Sequence, residues 1–104
     1  MRHYILNDRG DPVAEPELMT WARWYEKAER HVACDTIGDA KISTVFLGID
    51  HAFGGGGPVL WETMIFSKEP SLDQFQNRCA GSREQAEAMH KEAVEMVKRF
   101  SDGI

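Results

Sequence analysis

Residues 41–66 read KISTVFLGIDHAFGGGGPVLWETMIF, two apolar β-rich runs separated by a stretch that is half glycine. Val45, Phe46 and Leu47 place bulky apolar groups on successive positions, which marks a central strand covered at least in part on both faces. Pro58 closes the glycine stretch, and Val59–Phe66 supplies a second strand. A connection of this length cannot make a parallel crossover, so the second strand returns antiparallel to the first. The pair decides the fold: an antiparallel sheet is being built, and the remaining elements are read outward from it.

Upstream, His31–Ile37 is a third β-rich segment joined to Lys41–Asp50 across Gly38-Asp39. Glycine at the first central position supplies the positive φ that a type II′ hairpin requires. If Ile37 faces Ala40, Thr36 pairs with Lys41, Cys34 with Ser43 and Val32 with Val45. Ala33, Asp35, Ile42, Thr44 and Phe46 then share the opposite face. Further upstream, His3–Leu6 is a short apolar run closed by the turn formers Asn7, Asp8, Arg9 and Gly10, a strand followed by a turn. Pro16 suits the first turn of a helix, where its missing N–H is of no consequence. Leu18, Trp21, Ala22, Tyr25 and Ala28 recur at helical spacing on one face of that helix, which ends near Arg30. Trp24 falls off this face, as a side chain packed under a loop or one that contacts a partner.

Downstream, Ser67–Asp73 is polar and contains Pro70, a loop, and Gln74–Ala80 alternates weakly as a short edge strand. Ser82 and Gln85 have capping-box spacing at the start of the last helix. Its apolar stripe is Ala86, Met89, Ala93, Met96, Val97 and Phe100, and Gly103 can end it. Glu87 with Lys91 and Glu95 with Arg99 stand four apart with the acid first, a favourable order. The element order β-α-β-β-β-(β)-α predicts an α+β fold, with an antiparallel sheet of four to five strands and two helices packed on it.

The 104 residues, 42% hydrophobic, can bury one modest core, so residues 1–104 form a single domain by expectation. Seventeen acidic against twelve basic side chains give a formal charge of −5, which argues against direct nucleic-acid binding, since phosphate contacts need a basic face. The two cysteines, Cys34 and Cys79, lack the close spacing of a zinc knuckle or a redox pair. Whether they meet depends on their separation in space. The N-terminus MRHYILNDRGD has no long apolar segment and no stretch approaches a membrane span. A soluble cytoplasmic protein with no membrane association is the expectation.

Four consecutive glycines, Gly54, Gly55, Gly56 and Gly57, lose much conformational entropy on ordering, and a shorter turn would serve the fold as well. Asp50, His51 and Phe53 open the stretch and Trp61 and Glu62 follow it, so these nine residues form the candidate binding surface. Asp50, His51 and Glu62 also contain the minimum for acid–base work or for metal ligation. Strand-end Asp and His more often cap their own loop, and that structural role outweighs the catalytic one. No catalytic or metal residue is assigned, and no cofactor. The tetraglycine is not a phosphate loop, because Gly-Lys-Ser/Thr and a helix do not follow it. His90, at the border of the last helix's apolar stripe, reads as a core-edge side chain with one nitrogen satisfied. Cys79 after Arg78 reads as an incidental edge-strand thiol.

The segment ISTVFLGIDHAFGGGGPVLWETMIF, with LMTWARWYEKAERHVA before it and SREQAEAMH after it, resembles a group of small proteins found in phage and prophage genomes. The similarity covers most of the chain and is most distinctive in FLGIDHAFGGG and WETMIF. It transfers no reaction and no site residue. What it implies is a small acidic phage protein acting as an inhibitor of host defence or metabolism, of the anti-CRISPR type, in the host cytoplasm. On that expectation the partner is a host protein with a basic surface, which the acidic charge would suit. Three alternatives stand beside it: a small anion held by the glycine N–H groups, a small enzyme or metal protein using Asp50, His51 and Glu62, and a homodimer or larger homo-oligomer with an apolar patch around Trp24 or Trp61.

Overall fold

The computed structural model describes residues 2–50, 58–73, 76–80 and 82–102, with 76–80 and 101–102 described by their backbone. The fold is α+β with antiparallel sheets, but the strands divide between two sheets instead of sharing one. The first is a hairpin of β1 (Tyr4–Leu6) and β2 (Pro12–Ala14), in register Tyr4 to Ala14. The second is a four-stranded meander of β3 (His31–Ile37), β4 (Ala40–Phe46), β5 (Val59–Phe66) and β6 (Gln76–Ala80), in that spatial order.

The expected first strand therefore does not join the main sheet, and its turn formers explain why. The Asn7 side-chain oxygen accepts from the N–H groups of Arg9 and Asp11, and Gly10 takes φ +81°, so the chain folds straight back into β2. Pro12 can occupy only an edge strand. The hairpin is stitched to the far end of β4 by two backbone bonds, Tyr4 N–H to Gly48 O at 2.8 Å and Asp50 N–H to Arg2 O at 3.1 Å.

The β3–β4 hairpin has the expected register from Ile37–Ala40 through Ala33–Thr44. Gly38 has φ +59° and Asp39 is not left-handed, the combination of a II′ turn. Past Ala33 the register shifts, so His31 and not Val32 faces Val45. The cause lies outside the hairpin: Arg30 accepts from Phe46 N–H at 2.8 Å and returns a guanidinium bond to Phe46 O at 3.2 Å, drawing in the start of β3.

Helix α3 (Arg83–Asp102) crosses one face of the main sheet, contacting all four strands. Ser82 Oγ accepts from Gln85 N–H, one half of the predicted capping box. Ala86, Met89, Ala93 and Val97 are buried as the stripe requires. The helix pairs Arg83 with Glu87 and Lys98 with Glu95 in place of the two pairs expected from spacing. Exposed pairs of this kind differ by tenths of a kcal/mol, so several arrangements compete closely. The polar loop expected over Ser67–Asp73 contains one helical turn, α2 (Pro70–Asp73), which buries Leu72 beside Ile42, Ile65 and Val97.

Helix α1 (Leu18–Lys27) starts after Pro16, with Glu17 as N-cap, and ends before Arg30. It contacts β1, and none of its ten residues, all described, is buried. Trp24, off the expected stripe, packs edge-on against Phe46 at 5.9 Å, while Trp21 and Tyr25 turn toward the β1 side. The helix is wedged between two partners, so two of its faces are in use.

Candidate functional site

Asp50 stands where the chain leaves the β4 end of the sheet. Its Oδ1 accepts from Val59 N–H at 2.9 Å and its own N–H donates to Arg2 O. Both ends of the 51–58 segment are thereby held together against the β1 flank. Around this base, the Trp21 indole N–H donates to both Tyr4 O at 3.1 Å and Gly48 O at 3.0 Å. The His3, Trp21 and Tyr25 rings follow one another at 4.7 and 4.8 Å, and the Arg30 guanidinium lies 3.9 Å above Tyr25. Gly48, at φ +75°, has a left-handed backbone that strains any side chain, and a Cβ there would stand a tight 3.2 Å from Tyr25. His51, Phe53, Gly54, Gly55, Gly56 and Gly57 lie outside the described residues.

Trp61 and Glu62 are both described, and neither extends a surface from Asp50. Trp61 is fully buried against Phe46, Leu60, Ala86 and Met89, which corrects its expected place on an exposed recognition surface. It sits opposite Phe46 in the β4–β5 register, on the side that α3 covers. Its indole N–H has no hydrogen-bond partner among the described residues. Glu62 is 8% exposed and alternates onto the other face, level with Val45 and Arg78. There it lines a shallow groove of about 300 Å³ with Lys41, Ser43, Met64 and Phe66. Glu62 stands three positions along β5 from Val59, where Asp50 is anchored, a distance of about 10 Å along the strand. His51, the third member of the expected Asp50–His51–Glu62 set, lies outside the described residues, and no three-ligand cluster occurs among the described ones.

Nor does the described part of the chain place an apolar patch on Trp24, which is half-buried, or on Trp61. Among the described residues the exposed large apolar side chains are Val13, Leu18, Met19 and Phe66. Cys34 is an exposed free thiol on β3, and the Cys79 side chain lies outside the described residues. Beside the start of β3, Glu29 accepts from both the His31 N–H and the His31 ring at 2.9 Å. The backbone bond chiefly, and the ring bond after it, hold the Glu29 carboxyl below its usual value.

One polar constellation was missed by spacing because its members lie far apart in the chain. His90, 4% exposed beneath α3, approaches Asp35 Oδ2 with Nε2 at 2.7 Å and Thr44 Oγ1 with Nδ1 at 2.8 Å. Thr44 is in turn hydrogen-bonded to Thr63 directly across the strands. Both ring nitrogens are satisfied, not one. Carboxylate, imidazole and hydroxyl in a row are the parts of a nucleophilic triad, but access runs the wrong way. The carboxylate is the solvent-facing end, at 55% side-chain exposure, while Thr44 and Thr63 are sealed at 0%. No external substrate reaches either hydroxyl, so the row is a fastening between helix and sheet. A signal for it was present: Asp35 and Thr44 share the sheet face of Ile42 and Phe46, and His90 adjoins the helix stripe that covers that face.

No family model matches the chain, and neither the curated proteins nor the solved structures give a match. Among the described residues no helix is long and apolar enough to cross a membrane.

Proposed function

We propose that this chain is a non-enzymatic binding protein, an inhibitor of a host factor or defence system of the anti-CRISPR type, which engages its target through the glycine segment that starts at Asp50. The observation that carries the proposal is the Asp50 clamp, with Oδ1 on Val59 N–H at 2.9 Å and N–H on Arg2 O. A segment whose ends are fixed has already lost part of the freedom that binding would otherwise remove. The glycines then let a partner approach the main chain closely. The sealed Asp35–His90–Thr44–Thr63 row offers no substrate access and is assigned a structural part in this reading. The phage origin rests on the sequence resemblance.

A formal charge of −5 favours a partner with a basic surface. The test is quantitative capture of a host protein by wild type, His51→Ala and Asp50→Ala, with melting of each variant followed in parallel. Capture should fall at least about tenfold in both variants while they remain folded, a change of roughly 1.4 kcal/mol. Binding should also weaken as salt is raised. Equal capture by all three folded proteins removes the segment from the interface, and affinity that ignores ionic strength removes the electrostatic component.

A further inference from the structure

We infer that Asp35, His90, Thr44 and Thr63 form a one-way hydrogen-bond chain that fastens α3 to the sheet while the His90 ring is neutral, and that protonation of this ring unlatches the helix. The direction follows from the donors. The carboxylate of Asp35 only accepts, so the Nε2 atom 2.7 Å away carries a hydrogen. In a neutral ring Nδ1 is then the acceptor, and Thr44, at 2.8 Å, donates its hydroxyl hydrogen to it. The Thr44 oxygen is left to accept from Thr63. All three donors are satisfied, in the order Thr63, Thr44, His90, ending at Asp35.

A second proton on the ring reverses the inner half of this chain. Nδ1 becomes a donor to Thr44, the Thr44 hydroxyl turns toward Thr63, and the hydroxyl hydrogen of Thr63 has no acceptor among the described residues. Thr63 is 0% exposed, so water does not replace the lost bond. Asp35 opposes this effect by attracting the cation, but its side chain is 55% exposed and water screens the attraction. The other described groups that face the ring do little. Thr44 from β4 and Thr63 from β5 are uncharged, and on α3 itself Glu87 is exposed and paired with Arg83, while Lys91 points to solvent. The ring is the joint whose second proton reverses the inner bonds, and it lies between the buried Met89 and Ala93 that hold the helix down.

Ring nitrogen–hydrogen NMR correlations on the intact protein test the direction, and amide hydrogen exchange tests the unlatching. Under mildly alkaline conditions His90 should show a bare Nδ1 and a protonated Nε2. As acid adds the second proton, α3 amides around His90 should exchange about tenfold faster after correction for intrinsic rates. In His90→Gln that acid-dependent step should vanish, which assigns it to this ring. A neutral ring protonated on Nδ1 overturns the proposal, as does α3 exchange that stays constant while the ring gains its second proton. A step that persists in His90→Gln also overturns it, and the two wild-type measurements decide the matter if that variant does not fold.

Discussion

The two long helices are attached to the molecule by different physics. Helix α3 buries Ala86, Met89, His90, Ala93 and Val97 in the sheet, whereas α1 buries no residue and is held by directed contacts: the Trp21 N–H on two carbonyls, Trp24 edge-on against Phe46, and a stack of rings capped by Arg30. Burial scales with area and tolerates small shifts; a bond to a carbonyl does not. The main sheet with α3 should therefore carry global stability, and the β1–β2–α1 unit should open locally at lower cost.

The strongest way to break this contrast is to damage the sheet side. Ile65→Ala empties a fully buried site between Ile42 and α3, and it should cost about 2–5 kcal/mol in denaturant unfolding. A cost near that of an exposed site would mean that the core closes around the loss. Gly48→Ala comes next. The left-handed φ of +75° and the 3.2 Å approach to Tyr25 should together cost about 2 kcal/mol, with faster amide exchange in β1 and little change in α3. Equal acceleration in both regions would show the two units to be one cooperative block.

Trp21→Phe sharpens the comparison, because it keeps an aromatic ring while removing the donor to Tyr4 O and Gly48 O together with part of the indole's stacking area. The expected loss is about 1 kcal/mol, confined to the hairpin and α1. A spread into the main sheet would be read directly from exchange rates. The smallest effect lies on the acid side. The folded-state value of Glu29 is depressed, so its contribution is complete above the ordinary carboxylate range and is lost as pH falls through the folded value. The carboxyl carbon of Glu29 should titrate at lower pH in the folded chain than in the urea-unfolded one, and coincident curves would cancel this link between α1 and β3.

What the sequence made legible follows the same division. The Gly38 turn, the register from Ile37 to Ala33 and the α3 stripe depend on neighbours in the chain, and periodicity sees neighbours. The register shift at the start of β3 depends on Arg30 meeting Phe46, and the place of Trp24 depends on a strand that follows the helix. Neither leaves a local trace. His90 and Asp35 are 55 residues apart, so only combining the face of a strand with the face of a helix would have joined them. Among the residues expected to form a binding surface, Asp50 is legible as a strand-end cap, whereas the burial of Trp61 is not, because an indole beside a glycine stretch looks the same in sequence whether it is presented or buried.

The bond from Val59 to Asp50 has a practical corollary. It holds Asp50 and Val59, the described borders of the intervening segment, at one point beside the sheet. Closing a longer insert adds about 0.6 kcal/mol per doubling of length. Lengthening the chain between these two borders should therefore change the stability of the scaffold by no more than this small closure term.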